Sequence, residues 1–140
     1  MKKLSNENKG FSLVELIIVI AIMAILVAII GSQVIPYMEK SRVSKDMSTL
    51  DTVYTSLQTV IADEAITTDF STPYGTPSGD WTATADAALQ TLIGFNDTDL
   101  TDKFKSKGAK GSAVQLQLSF DGSTPIIIVT AGSLSVSSLD

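Results

Sequence analysis

The stretch FSLVELIIVIAIMAILVAII, residues 11–30, runs for twenty residues of which only Ser12 and Glu15 are polar. Coiled as a helix, it is long enough to cross the roughly 30 Å hydrocarbon core of a bilayer. Lys2, Lys3 and Lys9 precede it and only Glu7 opposes them, so the positive-inside rule places the N-terminus in the cytoplasm and the rest outside. Lys40, Arg42 and Lys45 on the far side weaken that asymmetry.

The apolar run ends without a strong breaker. In GSQVIPYMEK, residues 31–40, only Pro36 removes a helix donor, so a bend is expected between Gly31 and Pro36. Beyond it Val43, Met47, Leu50, Tyr54, Leu57 and Ile61 recur at alternating spacings of four and three, one narrow apolar stripe on a continuing helix. A membrane helix therefore flows into an amphipathic one, about 55 residues or about 80 Å from Phe11 to near Ala65.

Residues 67–80, TTDFSTPYGTPSGD, carry two prolines, two glycines and many hydroxyls, and are expected to cross the surface as a loop. Phe70, Tyr74 and Trp81 read as aromatic pins for that loop. A short helix is expected over residues 83–93, stopped by Gly94. Residues 96–111 read as a polar connection. Three strand-like runs follow at 113–120, 126–131 and 133–139, the first alternating Val114, Leu116, Leu118 and Phe120 with Gln115, Gln117 and Ser119. Residues 121–125 form the hairpin turn between the first two. A sheet this small cannot stand alone and is expected to bury its apolar face on the helix stripe. The fold class is thus α+β: a long N-terminal helix, membrane-spanning then amphipathic, packed on a small C-terminal antiparallel sheet.

Composition narrows the chemistry. The 140 residues include no Cys and no His, which removes disulfides, thiolate metal sites and the commonest general base. What remains, Ser–Lys or paired-carboxylate chemistry, has no flanking motif, so no enzyme and no cofactor is expected. Formal net charge is −5, and after Gly10 seven Lys or Arg face fourteen Asp or Glu. Such an acidic exterior does not favour nucleic acid as a partner. Asp97, Asp99 and Asp102, with Asn96, offer oxygen ligands for calcium, but the spacing is not that of an EF-hand loop and reads first as solvated turn. Lys103, Lys105, Lys107 and Lys110 read as a solvated edge, with an acidic patch on a neighbouring subunit as the alternative contact.

Lys9, Gly10, Phe11, Ser12, Leu13, Val14 and Glu15, directly ahead of the apolar run, resemble the class III signal of type IV prepilins and pseudopilins. The resemblance implies a leader at residues 1–10, cleavage between Gly10 and Phe11 by a prepilin peptidase that is also an N-methyltransferase, and methylation of Phe11. It further implies a homo-oligomeric helical filament in which Glu15 of one subunit meets the Phe11 amine of its neighbour. A carboxylate inside a membrane segment costs a few kcal/mol unless partnered, which is why such pairing would set register. With the residue reading above, the chain is expected to divide into a transmembrane, filament-core helix at 11–35, its amphipathic half at 36–65, a connecting loop with a short helix at 66–112 and the antiparallel sheet at 113–140. Implied partners are the peptidase, an assembly ATPase and inner-membrane platform protein acting indirectly, and membrane lipid before assembly. The implied function is a pilus subunit for adhesion, motility or aggregation. A pseudopilin of a secretion or competence apparatus is the alternative, and a non-polymerising anchored binding module is the remoter one. An ordinary secretory signal fits poorly, because Glu15 interrupts its apolar core and no small-x-small site closes it. Two departures from the resemblance stand out: Ser32 occupies the region where many relatives carry a proline, and the C-terminal cysteine pair of many pilins is missing.

Overall fold

The structure, a computed structural model, describes residues 10–139. The expected leader therefore lies outside the described residues except for Gly10. The chain divides into two units, Met1–Met38 and Glu39–Asp140.

Helix α1, Leu13–Asp63, runs through both units in sequence. In the first unit every residue from Phe11 to Met38 is exposed. The helix assignment passes through Gly31 and Pro36 without interruption. Pro36 has no N–H to give the Ser32 carbonyl, and the Ser32 hydroxyl donates to the Ile29 carbonyl at 2.9 Å one turn earlier. Among the described residues α1 is the one helix long and apolar enough to cross a membrane.

The second unit comprises α1 from Glu39 onward, then β1 (Phe70–Pro73), α2 (Ala83–Ile93), α3 (Asp97–Lys103), β2 (Val114–Asp121), β3 (Thr124–Ala131) and β4 (Leu134–Ser137). The strands form one antiparallel sheet in the order β1-β2-β3-β4. Alternation decides its faces. Phe70 pairs with Leu118, Thr72 with Leu116, Leu116 with Val129, and Leu118 with Ile127, so these side chains share the buried face. Burying that face is the task of α1.

The buried line on α1 is Asp46, Leu50, Val53, Leu57, Val60 and Ile61. Met47 and Tyr54 pack against the core half-buried, and Val43 is also half-buried. Leu50, Leu57 and Ile61 of the expected stripe thus lie in the buried line, and Val43, Met47 and Tyr54 flank it. Two rows with spacings of three and four pass through Leu50 and Leu57, one taking Val43, Met47 and Tyr54, the other Asp46, Val53 and Val60. A charged residue at the head of the second row disguises it as polar. The helix ends where Ala65 adopts φ 50° and the Ile66 N–H returns to the Ile61 carbonyl at 3.1 Å, a left-handed stop made without glycine.

Two expectations for the middle of the chain are corrected. Residues 70–73 are not loop but an edge strand, β1; Pro73 is tolerated there because the strand pairs on one side alone. Residues 97–103 are not irregular connection but α3, whose first turn is capped by the Asn96 side chain accepting from the Asp99 N–H at 2.9 Å. Asn96 at the cap, Asp97 and Asp99 in the first turn and Lys103 in the last are helix signals, outweighed in the sequence by a single apolar residue, Leu100. The expected α2 is found between Thr82, which caps it at 3.2 Å, and Gly94, left-handed at φ 77°.

Aromatic side chains pin the segment from β1 to α2 as expected. Trp81 is fully buried and stacks on Phe70 with ring centroids 5.1 Å apart. Its indole N–H donates to Asp86 Oδ1 at 3.1 Å, the Gly75 N–H reaches the same oxygen at 3.1 Å, and the Gln90 amide donates to Oδ2 at 2.7 Å. Tyr74 is buried and donates its hydroxyl to the Phe95 carbonyl. Burial, then the charges of Asp86 and Asp97, push the Tyr74 phenol up to about 12.

The segment after α3 is held by carboxylates from α1. Asp46, 1% exposed, accepts from the Lys105 N–H at 3.0 Å and the Ser106 N–H at 2.7 Å, and Glu39 accepts from the Lys107 N–H at 2.6 Å. From the other side the Gly108 carbonyl accepts the Ser133 N–H at 2.9 Å. A Cβ at Gly132, which has φ 60°, would collide with that carbonyl oxygen, so the β3–β4 turn needs glycine.

Replacing Asp46 by Ala orphans buried N–H groups and is expected to cost about 3 kcal/mol, with Asp46→Asn milder because one acceptor oxygen survives. Denaturant melts of the full chain in detergent measure both. For Tyr74 the raised value means that protonation favours the folded state: the stabilisation is complete below pH 10 and is lost as pH climbs towards about 12. Melting temperature is expected to fall more steeply across that window in the wild type than in Tyr74→Phe.

Candidate assembly interface

The residues singled out at the leader junction sit at the start of the first unit. Gly10 is exposed and Phe11 is 91% exposed. Ser12 precedes the first helical residue, Leu13, and its carbonyl accepts the Leu16 N–H at 3.2 Å. Glu15 turns back so that Oε2 accepts the Ser12 N–H at 2.8 Å. Ser12 and Glu15 are spaced as in the S-x-x-E capping box, in which the side chain at the third helical position satisfies the cap's own N–H. Residues 12–15 thus carry a helix-start signal beside the prepilin-like pattern.

Glu15 is thereby an acceptor at the positive end of the helix dipole, four residues from Phe11. From Leu16 to Ile30 no side chain is charged. The 18-residue apolar window that makes α1 long enough to span is 0% buried within the chain. In water such a surface would demand a cover; lipid or the same helices of other copies can supply it. In either setting Glu15 is the one carboxylate of the run.

Other candidates disperse. Asp97 and Asp99 lie in the first turn of α3 and Asp102 near its end. Asp97 packs its Cβ against Gly75, where an added Cβ would come within 2.7 Å. Asp99 and Asp102 line an open depression of about 530 Å³ together with Lys45, Phe95, Lys103 and Lys105. Among the described residues no group of three or more acidic side chains is arranged to hold a metal. The Lys103 ammonium sits 4.3 Å from the centre of the Phe95 ring, a cation–π contact.

Comparison with known proteins bears on this geometry. Residues 5–31 match the model of the prokaryotic N-terminal methylation motif. This chain carries that motif. The chain is 44% identical over 60 residues to a type IV major fimbrial protein FimA of Dichelobacter nodosus, an alignment covering 43% of this chain and 38% of that one. It is 31% identical over 75 residues to the type IV major pilin protein PilA of Myxococcus xanthus, covering 54% and 34%. A fimbrial protein of Pseudomonas aeruginosa is 29% identical over 134 residues, 96% of this chain and 75% of that one. The chain thus spans under two fifths of the first two relatives' length. These relatives are named as fimbrial and pilin proteins, not enzymes. No solved structure matches significantly. The motif covers Gly10, Phe11 and Glu15, and the long helix on a small antiparallel sheet is an α+β arrangement like that of type IV pilins.

Proposed function

We propose that this chain is a structural pilin, inserted in the inner membrane through α1, cut between Gly10 and Phe11, N-methylated on Phe11, and polymerised into an extracellular helical filament. The observation that carries this reading is a methylation motif that runs into an apolar helix left uncovered by the described residues. A prepilin peptidase and N-methyltransferase, a cytoplasmic ATPase and a membrane platform protein are the machinery the reading requires. The relatives named as major pilins favour a filament subunit over a pseudopilin.

In this reading Glu15 changes partner. Before processing, it caps its own Ser12 N–H. Cleavage leaves a cationic amine on Phe11, and the carboxylate of one subunit then meets the amine of the next, because an unpaired charge among packed apolar helices is costly. One such pair per subunit sets the register of otherwise slippery apolar surfaces. Pro36, which leaves the Ser32 carbonyl short of a helical donor, with Gly31 five residues before it, is the proposed place where α1 bends in the filament.

The N-terminal peptide of the protein from its native host is expected to begin at Phe11 with one added methyl group by mass spectrometry; a peptide retaining residues 1–10 would sink the proposal. In Glu15→Ala, leader removal is expected to continue while sheared fibre drops to background. Normal fibres from that variant would refute the pairing role.

A further inference from the structure

We infer that the lysine-rich end of the second unit is a docking surface for anionic phospholipid headgroups of the outer leaflet, holding the unit on the membrane before assembly. All seven Lys and Arg residues after Gly10 fall in two segments, Lys40, Arg42 and Lys45 on α1 and Lys103, Lys105, Lys107 and Lys110 after it. Sixty residues apart in sequence, the two are joined in the fold. Asp46 and Glu39 accept the backbone N–H groups of Lys105, Ser106 and Lys107, and Lys45, Lys103 and Lys105 border one depression. The two carboxylates are directed at backbone N–H groups, and the lysines around them lie at the surface, Lys103 with its ammonium over the Phe95 ring. Phe104, Ser106 and Ala109 are buried between them, whereas all four loop lysines are exposed. Asp99 and Asp102 in the depression and the 3.8 Å Glu39–Arg42 pair temper this charge without matching it.

The opposite end of the unit is acidic. Asp63 lies about 36 Å along α1 from Glu39, at the helical rise per residue. Glu64 follows it, and Asp69 accepts the Phe120 N–H at 3.1 Å beside Asp121. The β2–β3 hairpin reaches this end, where Phe120 and Pro125 share a groove with Ile61 and Ile66. The unit is thus electrically polar, and an anionic surface attracts the end at which the chain enters while repelling the other.

The position along the chain selects lipid. The exposed stretch of residues 11–38 would rise about 42 Å as helix, close to the roughly 40–45 Å of a bilayer with its headgroups. Lys40 is two residues further on. Lysine stems long enough to snorkel can then bring their ammonium groups to phosphate level. Pulling a subunit into a filament would have to break these contacts, making release sensitive to lipid charge. The inference rests on α1 being the membrane anchor.

The test uses the full chain in vesicles of phosphatidylcholine alone or mixed with phosphatidylglycerol. Flotation first reads insertion, and a membrane-impermeant amine reagent then reads Lys103, Lys105, Lys107 and Lys110 by peptide mass spectrometry. Labelling is expected to slow about fivefold per contacting lysine in the anionic vesicles and to recover at high salt. Equal labelling in both would overturn the inference. Protection that follows protein density in both compositions would overturn it too, assigning the patch to the acidic end of a second copy. A chain that floats with neither vesicle would remove the anchor and the inference together.

Discussion

Among the described residues, a four-stranded sheet with one apolar face has no partner large enough to cover it except the C-terminal half of α1. That single packing decides much else. Leu50, Val53, Leu57 and Val60 are sealed against Leu116, Leu118, Ile127 and Val129, and the helix cannot give up this face without exposing the sheet. The same helix, one half earlier, presents apolar side chains in every direction. The helix therefore carries two kinds of surface: a half that covers a sheet needs a stripe, whereas a half apolar on all sides has none.

The polar groups divide along the same line. In the second unit, buried carboxylates are used as fixed acceptors for backbone that has no secondary-structure partner. Asp86 gathers the β1–α2 segment through Gly75, Trp81 and Gln90, and Asp46 gathers the segment after α3 through Lys105 and Ser106. Each replaces several water contacts with directed charge-assisted hydrogen bonds, which makes irregular chain as definite as a strand. In the first unit Glu15 is held by one local bond from a neutral backbone N–H, which a cation could outcompete. The buried carboxylates fix the shape of the second unit, whereas Glu15 remains open to exchange of its partner.

Much of this architecture could be read before any coordinates. A twenty-residue run with only two polar positions announces a span-length helix, Gly94 ends α2 where only a left-handed residue fits easily, and the alternation from Val114 to Phe120 announces a half-buried strand. Less legible were the short elements. β1 hides behind Pro73 and two hydroxyls because its stability comes from pairing with β2, over forty residues away. α3 hides because a seven-residue helix owes its existence to a cap and to packing of Leu100, not to periodicity.

By itself, the sequence determined the properties that depend on neighbours along the chain: a run long enough to span, the methylation motif over Gly10 and Phe11, the position of Glu15 within one helical turn, and the hairpins. Only the tertiary structure decided which of two equally spaced rows on α1 faces the sheet, and that Asp46 heads the buried one. The reason is physical. Helical periodicity constrains which residues share a face, but the energy that selects between adjoining faces comes from groups 59 and 60 residues away, the N–H groups of Lys105 and Ser106, whose need for an acceptor no local pattern records.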